Sequence, residues 1–319
     1  MMRHKILSVI GGLAILLAIF LLYRVFSHQD PAALREAVTS VSLRTLVIAG
    51  LLTAGSFIAI SVLEYLAVRH AQAPVPLRRI VATAVAAVGI GHTIGLAALS
   101  SGAIRYRMYG RAGHGIVFVG KVLLFCGIST ACGFAGIGGM ALLWQAESLA
   151  PLLGIAPALV RGIGAAMLGV LIGYFLTCVL MRSRAISVGQ KFTIRVPKGG
   201  VAALQILSAN TNVLCIAGAL YACLRDFTDV TYSMIAALYV SSDMTALIGH
   251  VPGGWGVLEY ITTTSLSGAE VLAGVVLFRA IYYLVPLFLG LVVFIIDEVV
   301  THHKHDENIA SSNPVTNVT

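Results

Sequence analysis

Apolar runs of helix-spanning length recur along the whole chain. Ile6–Phe26 is followed by Thr45–Leu66, Ile80–Leu99, Ile116–Trp144, Gly162–Met181, Val201–Leu224, Tyr232–His250 and Val271–Ile296, with a shorter apolar piece at Leu258–Leu266. A bilayer core of about 30 Å takes roughly 20 residues of helix, whereas outer-membrane strands alternate over segments of about ten. These runs are continuous, so the chain reads as an all-α, polytopic integral membrane helical bundle of about eight transmembrane helices. Composition excludes the other classes. The chain is 58% hydrophobic and 11% charged, whereas a soluble domain carries about 25% charged residues. A soluble enzyme, a secreted disulfide scaffold and a disordered chain are all ruled out. The five cysteines, Cys126, Cys132, Cys178, Cys215 and Cys223, lie inside apolar runs without a CxxC pair and read as small packing residues.

The net charge of +8 reads as positive-inside loops, and nucleic acid is not an expected partner. Met1–Lys5 is basic, and Ile6–Phe26 is too long for a signal-peptide core, so it reads as a retained first helix with a cytoplasmic N-terminus. Pro31–Arg44 mixes apolar and charged residues and reads as interfacial. Ile80–Leu99 is weakened by Gly89, Gly91, His92 and Gly95 and leads into the basic stretch 105–111. A full crossing would put that stretch outside; a re-entrant segment returns it to the cytoplasm, and this reading is preferred. It places 14 of the 21 Lys and Arg on the cytoplasmic side and five outside, with Lys121 and Arg279 inside apolar runs. A second break falls at Val251–Gly256. Interrupted segments in both halves of a membrane protein point to a substrate site between pseudo-repeats. Gly169-x-x-x-Gly173 is a close-packing signal. The expected organisation is one transmembrane domain over residues 1–298 and a disordered cytoplasmic tail over 299–319.

Three constellations could carry chemistry. Ser100-Ser101-Gly102 followed by Arg105 and Arg107 offers a close backbone approach and forked guanidinium donors for a phosphate; the same residues could be a positive-inside anchor. Asp243, with the stretch holding Gly253, Gly254, Gly256 and Glu259, places carboxylates in apolar surroundings. Such a group costs about 2.5–3.5 kcal/mol on insertion scales and therefore faces protein or water; a buried ion pair that only fixes helix packing is the plainer alternative. Arg279 lies well inside the last run, followed by Tyr282, Tyr283 and Pro286. It is a natural partner for Glu259, for Asp243 or for a lipid phosphate, unless it snorkels to an interface.

Other features carry less. Gly115-x-x-x-x-Gly120-Lys121 lacks the hydroxyl residue and the preceding strand of a nucleotide loop. His302, His303 and His305 lie in a tail without preorganisation for a metal, and His92 and His250 read as polar packing or proton relays beside the breaks. No cofactor is expected, and no HExxH or GxSxG pattern is present.

Taken together, Gly-x-x-Arg-x-Arg at 102–107, Pro-Gly-Gly-x-Gly-x-x-Glu at 252–259 and Arg-x-x-Tyr-x-x-x-Pro at 279–286 resemble the transmembrane flippase domain of lysylphosphatidylglycerol synthases and the YbhN-like inner-membrane proteins that stand alone. The resemblance covers about Ile6 to Ile296. It departs at Ser100-Ser101, where relatives tend to have more glycine. Only 23 residues follow Ile296, so the lysyl-transfer reaction is not carried over. The resemblance implies a bacterial inner-membrane location and translocation of a phospholipid or lipid-linked substrate between leaflets. The implied substrate-binding set is Gly102, Arg105, Arg107, Asp243, Gly253, Gly254, Gly256, Glu259, Arg279, Tyr282 and Tyr283. A homo-oligomer or a lipid-synthesis partner fits the same picture. A non-transporting scaffold protein and an intramembrane lipid-modifying enzyme are the alternatives.

Overall fold

The computed structural model describes residues 41–94, 97–181, 185–188, 192–249, 251, 254–266 and 271–312. The first apolar run Ile6–Phe26, His250, Gly253 and residues 313–319 of the tail lie outside the described residues. Among the described residues, five helices are long and apolar enough to cross a membrane, and Tyr232–Ile248 is a shorter apolar helix.

The first described helix, α1 (Leu43–His70), opens where the Ser42 hydroxyl accepts from the Thr45 amide at 3.2 Å, a side-chain cap for an otherwise orphaned donor. It is about 42 Å long at 1.5 Å per residue. Helix α8 (Gly199–Leu224) runs antiparallel against it. At one end the Thr45 hydroxyl donates to Asp226 at 2.7 Å; midway the Ser56 hydroxyl donates to Asn212 at 2.7 Å. At the other end His70 Nε2 lies 2.8 Å from the Arg195 carbonyl oxygen. The two ends differ in charge. Arg69, Arg78, Arg79, Arg111, Arg195 and Lys198 mark a basic end, whereas at the far end Arg44, Arg161 and Arg225 are balanced by Glu147, Asp226 and Asp229.

Helices α2 (Leu77–Ile94) and α3 (Ala97–Gly110) form a hairpin that enters and returns at the basic end. Arg79, at its start, and Arg111, just past its end, share Asp297, at 3.7 and 2.7 Å. Near its tip the limbs touch where a Cβ at Gly91 would stand 2.9 Å from that of Ser101. The described limbs therefore run back on each other with both feet at the basic end, the arrangement that a re-entrant segment requires.

Next comes one long rod made of α4 (Ile116–Gly133), a π-helical turn (Phe134–Gly138) and α5 (Gly139–Trp144). Its glycines do not break it. A Cβ at Gly139 would stand 3.0 Å from the Gly164 carbonyl oxygen of α7 (Pro157–Leu180), so the glycines let backbones approach. The short α6 (Ala146–Leu153) at the far end stops at Gly154, which takes the left-handed conformation. Gly169 and Gly173 on α7 have no neighbouring atom within 4 Å of a would-be Cβ. Their spacing permits a close approach, but among the described residues nothing packs against them. The basic connection back to α8 contains a two-stranded hairpin of β1 (Ala185–Val188) and β2 (Phe192–Arg195).

A second hairpin is inserted from the far end. Helix α9 (Tyr232–Ile248) runs inward, and α10 (Val257–Ser265) folds back along it. Helix α11 (Val271–Arg279) starts at the far end, where Gly274 lies against the Cys223 carbonyl of α8. A π-helical turn (Ala280–Leu284) joins it to α12 (Val285–Ser312). Pro286 lacks an amide hydrogen, and the wide turn absorbs that gap in the ladder. Helix α12 passes the basic end at Asp297 and Glu298 and continues to Ser312, beyond residue 299 where the sequence suggests a disordered tail. The stretch 299–312 holds no proline or glycine to stop it.

Candidate functional site

Each inserted hairpin holds its return limb to the bundle through a buried ion pair. In the far-end hairpin, Gly254 and Gly256 adopt φ of 60° and 80°, values a side-chain-bearing residue takes only with strain. This turn starts α10, and the Gly256 amide donates to Glu259 Oε2 at 3.0 Å. The carboxylate thus caps the helix N-terminus, where negative charge is favoured. It also faces Arg279. The guanidinium Nε donates to Glu259 Oε1 at 2.8 Å, and Nη2 donates to Oε2 at 3.0 Å and to the Gly254 carbonyl at 2.7 Å. The rings of Trp255 and Tyr283 lie against the guanidinium carbon at 4.5 and 4.9 Å, a cation–π clamp. Arg279 is 2% exposed and the Glu259 side chain 19%, so the pair opens outward through its carboxylate.

Behind the pair is a cavity of about 10 Å³, room for a single water. Ser242, Asp243, Gly254, Arg279 and Tyr283 line it. Asp243 has no hydrogen-bond or ion-pair partner among the described residues, and Ser242 Oγ is buried without one. Five residues expected at the site therefore meet here: Asp243, Gly254, Glu259, Arg279 and Tyr283, with the Gly256 amide at its edge. Tyr282 points the other way. It stacks on Phe278, and its hydroxyl lies 3.3 Å from Ser56 Oγ, which joins the π-helical turn to α1 and, through Asn212, to α8. Gly253 is outside the described residues.

The second pair binds the basic-end hairpin. Arg105 of α3 is 3% exposed and meets Glu64 of α1, which is fully buried. Arg105 Nε donates to the two carboxylate oxygens at 3.0 and 3.1 Å, and Nη2 donates to Oε2 at 2.7 Å. The Tyr109 hydroxyl adds a bond at 2.9 Å. Two residues on, Arg107 pairs with Glu298 at 2.5 Å, and Arg111 pairs with Glu298 and Asp297. Gly102 packs against Leu123. The constellation expected to meet a phosphate is therefore already satisfied by carboxylates: Glu64, Asp297 and Glu298 complete it, and none stands out from the motif. Glu64 had a sequence signal, a carboxylate inside the run Thr45–Leu66.

The two pairs lie at different depths. Glu64 is six residues, about 9 Å, from the basic end of α1, whereas Arg279 is eight residues, about 12 Å, from the far-end start of α11. The class this defines is a multi-pass, all-α membrane protein with helical hairpins inserted from opposite ends, each held by a buried guanidinium–carboxylate pair.

Among curated proteins, the chain is similar to the uncharacterized protein slr0712 of Synechocystis sp., with 26% identity over 236 residues, 73% of each chain. It is also similar to the inner membrane protein YbhN of Escherichia coli, with 23% identity over 201 residues, 61% of this chain and 62% of YbhN. The likeness to YbhN-like proteins implied by the motifs is thereby found. Neither relative links the chain to lysylphosphatidylglycerol synthases. No family model matches.

Proposed function

We propose that this protein moves a phospholipid, or a lipid-linked molecule with a phosphate headgroup, between the leaflets of a bacterial inner membrane. The observation that carries the reading is the Glu259–Arg279 pair: a buried guanidinium, clamped between two rings, closed by a carboxylate that is more exposed than its partner. A buried cation stripped of its partner is costly, about 3–5 kcal/mol. A phosphate offers the same forked acceptor geometry as a carboxylate. It can replace Glu259 on Arg279 without the guanidinium ever being bare. Glu259 meanwhile keeps its bond to the Gly256 amide. Asp243 and the unpartnered Ser242 hydroxyl supply polar groups behind the exchange. Arg105 and Arg107 would serve the headgroup at the basic end, taken as cytoplasmic, by the same exchange against Glu64 and Glu298.

The test is leaflet exchange of labelled phospholipids in proteoliposomes containing only this protein. Wild type is expected to exchange lipid, and Glu259→Gln and Arg279→Gln to lose at least about tenfold, the effect of 1.4 kcal/mol at a barrier. Folded wild-type protein that moves no lipid, or variants that exchange at the wild-type rate, would refute the reading.

A further inference from the structure

A third cluster of cations lies away from both pairs, at the basic end. Lys121 sits one and a half turns into the apolar helix α4, where the sequence offers only a false nucleotide-loop pattern. It lines a cavity of about 390 Å³ enclosed by the end of α1, the first half of α4, the last turns of α7 and the chain leading into α8. That volume lies within the range of small-ligand sites. Three basic residues line it, His70, Lys121 and Arg195, and among the described residues no acidic one does. Neither Lys121 nor the Arg195 side chain has a carboxylate partner among the described residues.

The cavity is amphipathic along its length. From Lys121 it continues past Leu124 and Phe125 to Ile128, seven residues or about 10 Å deeper along α4. Tyr174 of α7 closes the deep end, its hydroxyl tied to Gln205 at 2.6 Å. Leu124 is 38% exposed, so the cavity is open on its lipid side. Cations at the mouth, an apolar floor and an opening towards the acyl chains match an anionic amphiphile standing in the leaflet. Basic pockets between transmembrane helices are suited to anionic head groups. A zwitterionic head group would bring an ammonium to a rim without a carboxylate to receive it.

We propose that this cavity is a binding site for an anionic glycerophospholipid of the leaflet at the basic end, with Lys121 and Arg195 on the phosphate and the first methylenes along Phe125 and Ile128. It does not depend on the translocation reading, because it shares no residue with the Glu259–Arg279 site. The test is native mass spectrometry of the full chain released from mixed phosphatidylglycerol and phosphatidylcholine micelles.

One phosphatidylglycerol is expected to be retained, preferred over phosphatidylcholine by about thirtyfold, from a factor of about five for each of two cations near the surface. Lys121→Gln and Arg195→Gln should each remove about one such factor. The double variant should show no preference, and Lys121→Arg should keep it, in proteins with unchanged melting and gel-filtration behaviour. Equal retention of both lipids by wild type, or wild-type preference in the double variant, would overturn the proposal. Equal affinity for soluble glycerol 3-phosphate would overturn the lipid assignment in favour of a free phosphate.

Discussion

Replacing Arg105 by Met isolates the energetics of the basic-end pair. Met roughly keeps the length of the side chain and removes the charge. Glu64, fully buried, would then keep only the Tyr109 hydroxyl at 2.9 Å and the weak Cys126 thiol contact at 3.6 Å. Removing one partner of a buried pair costs about 3–5 kcal/mol, because a bare charge remains. Glu64→Met should cost a similar amount by stranding the guanidinium. Together the two changes leave no charge, and their sum should be far from additive. The double variant should still fall about 1–3 kcal/mol below wild type, since the Tyr109 hydroxyl loses its acceptor. Adding Tyr109→Phe should restore most of that. Unfolding free energies from denaturing-detergent titration measure all four variants. Additive single-site losses, or singles close to wild type, would refute the assignment of the pair as a buried, mutually dependent unit.

Glycine substitutions separate strain from contact. Gly256→Ala meets open space but must hold φ of 80°, so a loss of about 1–2 kcal/mol is expected in the same titration. Gly89→Ala places its Cβ against the Pro286 carbonyl of α12 and should prevent normal assembly, read as loss of the monodisperse gel-filtration peak. Gly169→Ala has nothing to meet and should melt at or above the wild-type temperature. The inserted hairpin is testable in a variant with the five native cysteines replaced. A membrane-impermeant maleimide should reach Gln72→Cys and Ala112→Cys from one face and Asp229→Cys from the other; labelling of positions 72 and 112 from opposite faces would mean that residues 80–99 cross.

The crossings were legible because a bilayer demands about 20 apolar residues wherever a helix spans it. Glu259 and Arg279 were legible as a pair because opposite charges in apolar runs must find each other, and 20 residues of chain bring them together. The Glu64–Arg105 pair was harder to see. Arg105 also reads as a positive-inside anchor, and its meeting with Glu64 depends on the hairpin carrying α3 back beside α1, across 41 positions. Spacing likewise shows that Gly169 and Gly173 permit a close approach, but not what approaches. The outcome for the glycines of 133–139 is the reverse: neighbouring atoms stand where a side chain would be, backbone of α8 and α7 at Gly133 and Gly139 and the side chains of Asn210 and Val240 at Gly136 and Gly138.

The inserted hairpins also bear on how the chain is threaded. A segment that returns to the side it left does not change the parity of crossings. Among the described residues the five long spans do, so Leu43 and Ser312 stand at opposite ends. A hydropathy count that treats residues 80–99 as a crossing reverses the sidedness of every loop between the two hairpins, until the same miscount at Tyr232–Ile248 restores it. Threading therefore rests on the arginines flanking residues 80–110, which hold both feet of that hairpin at one end through Asp297.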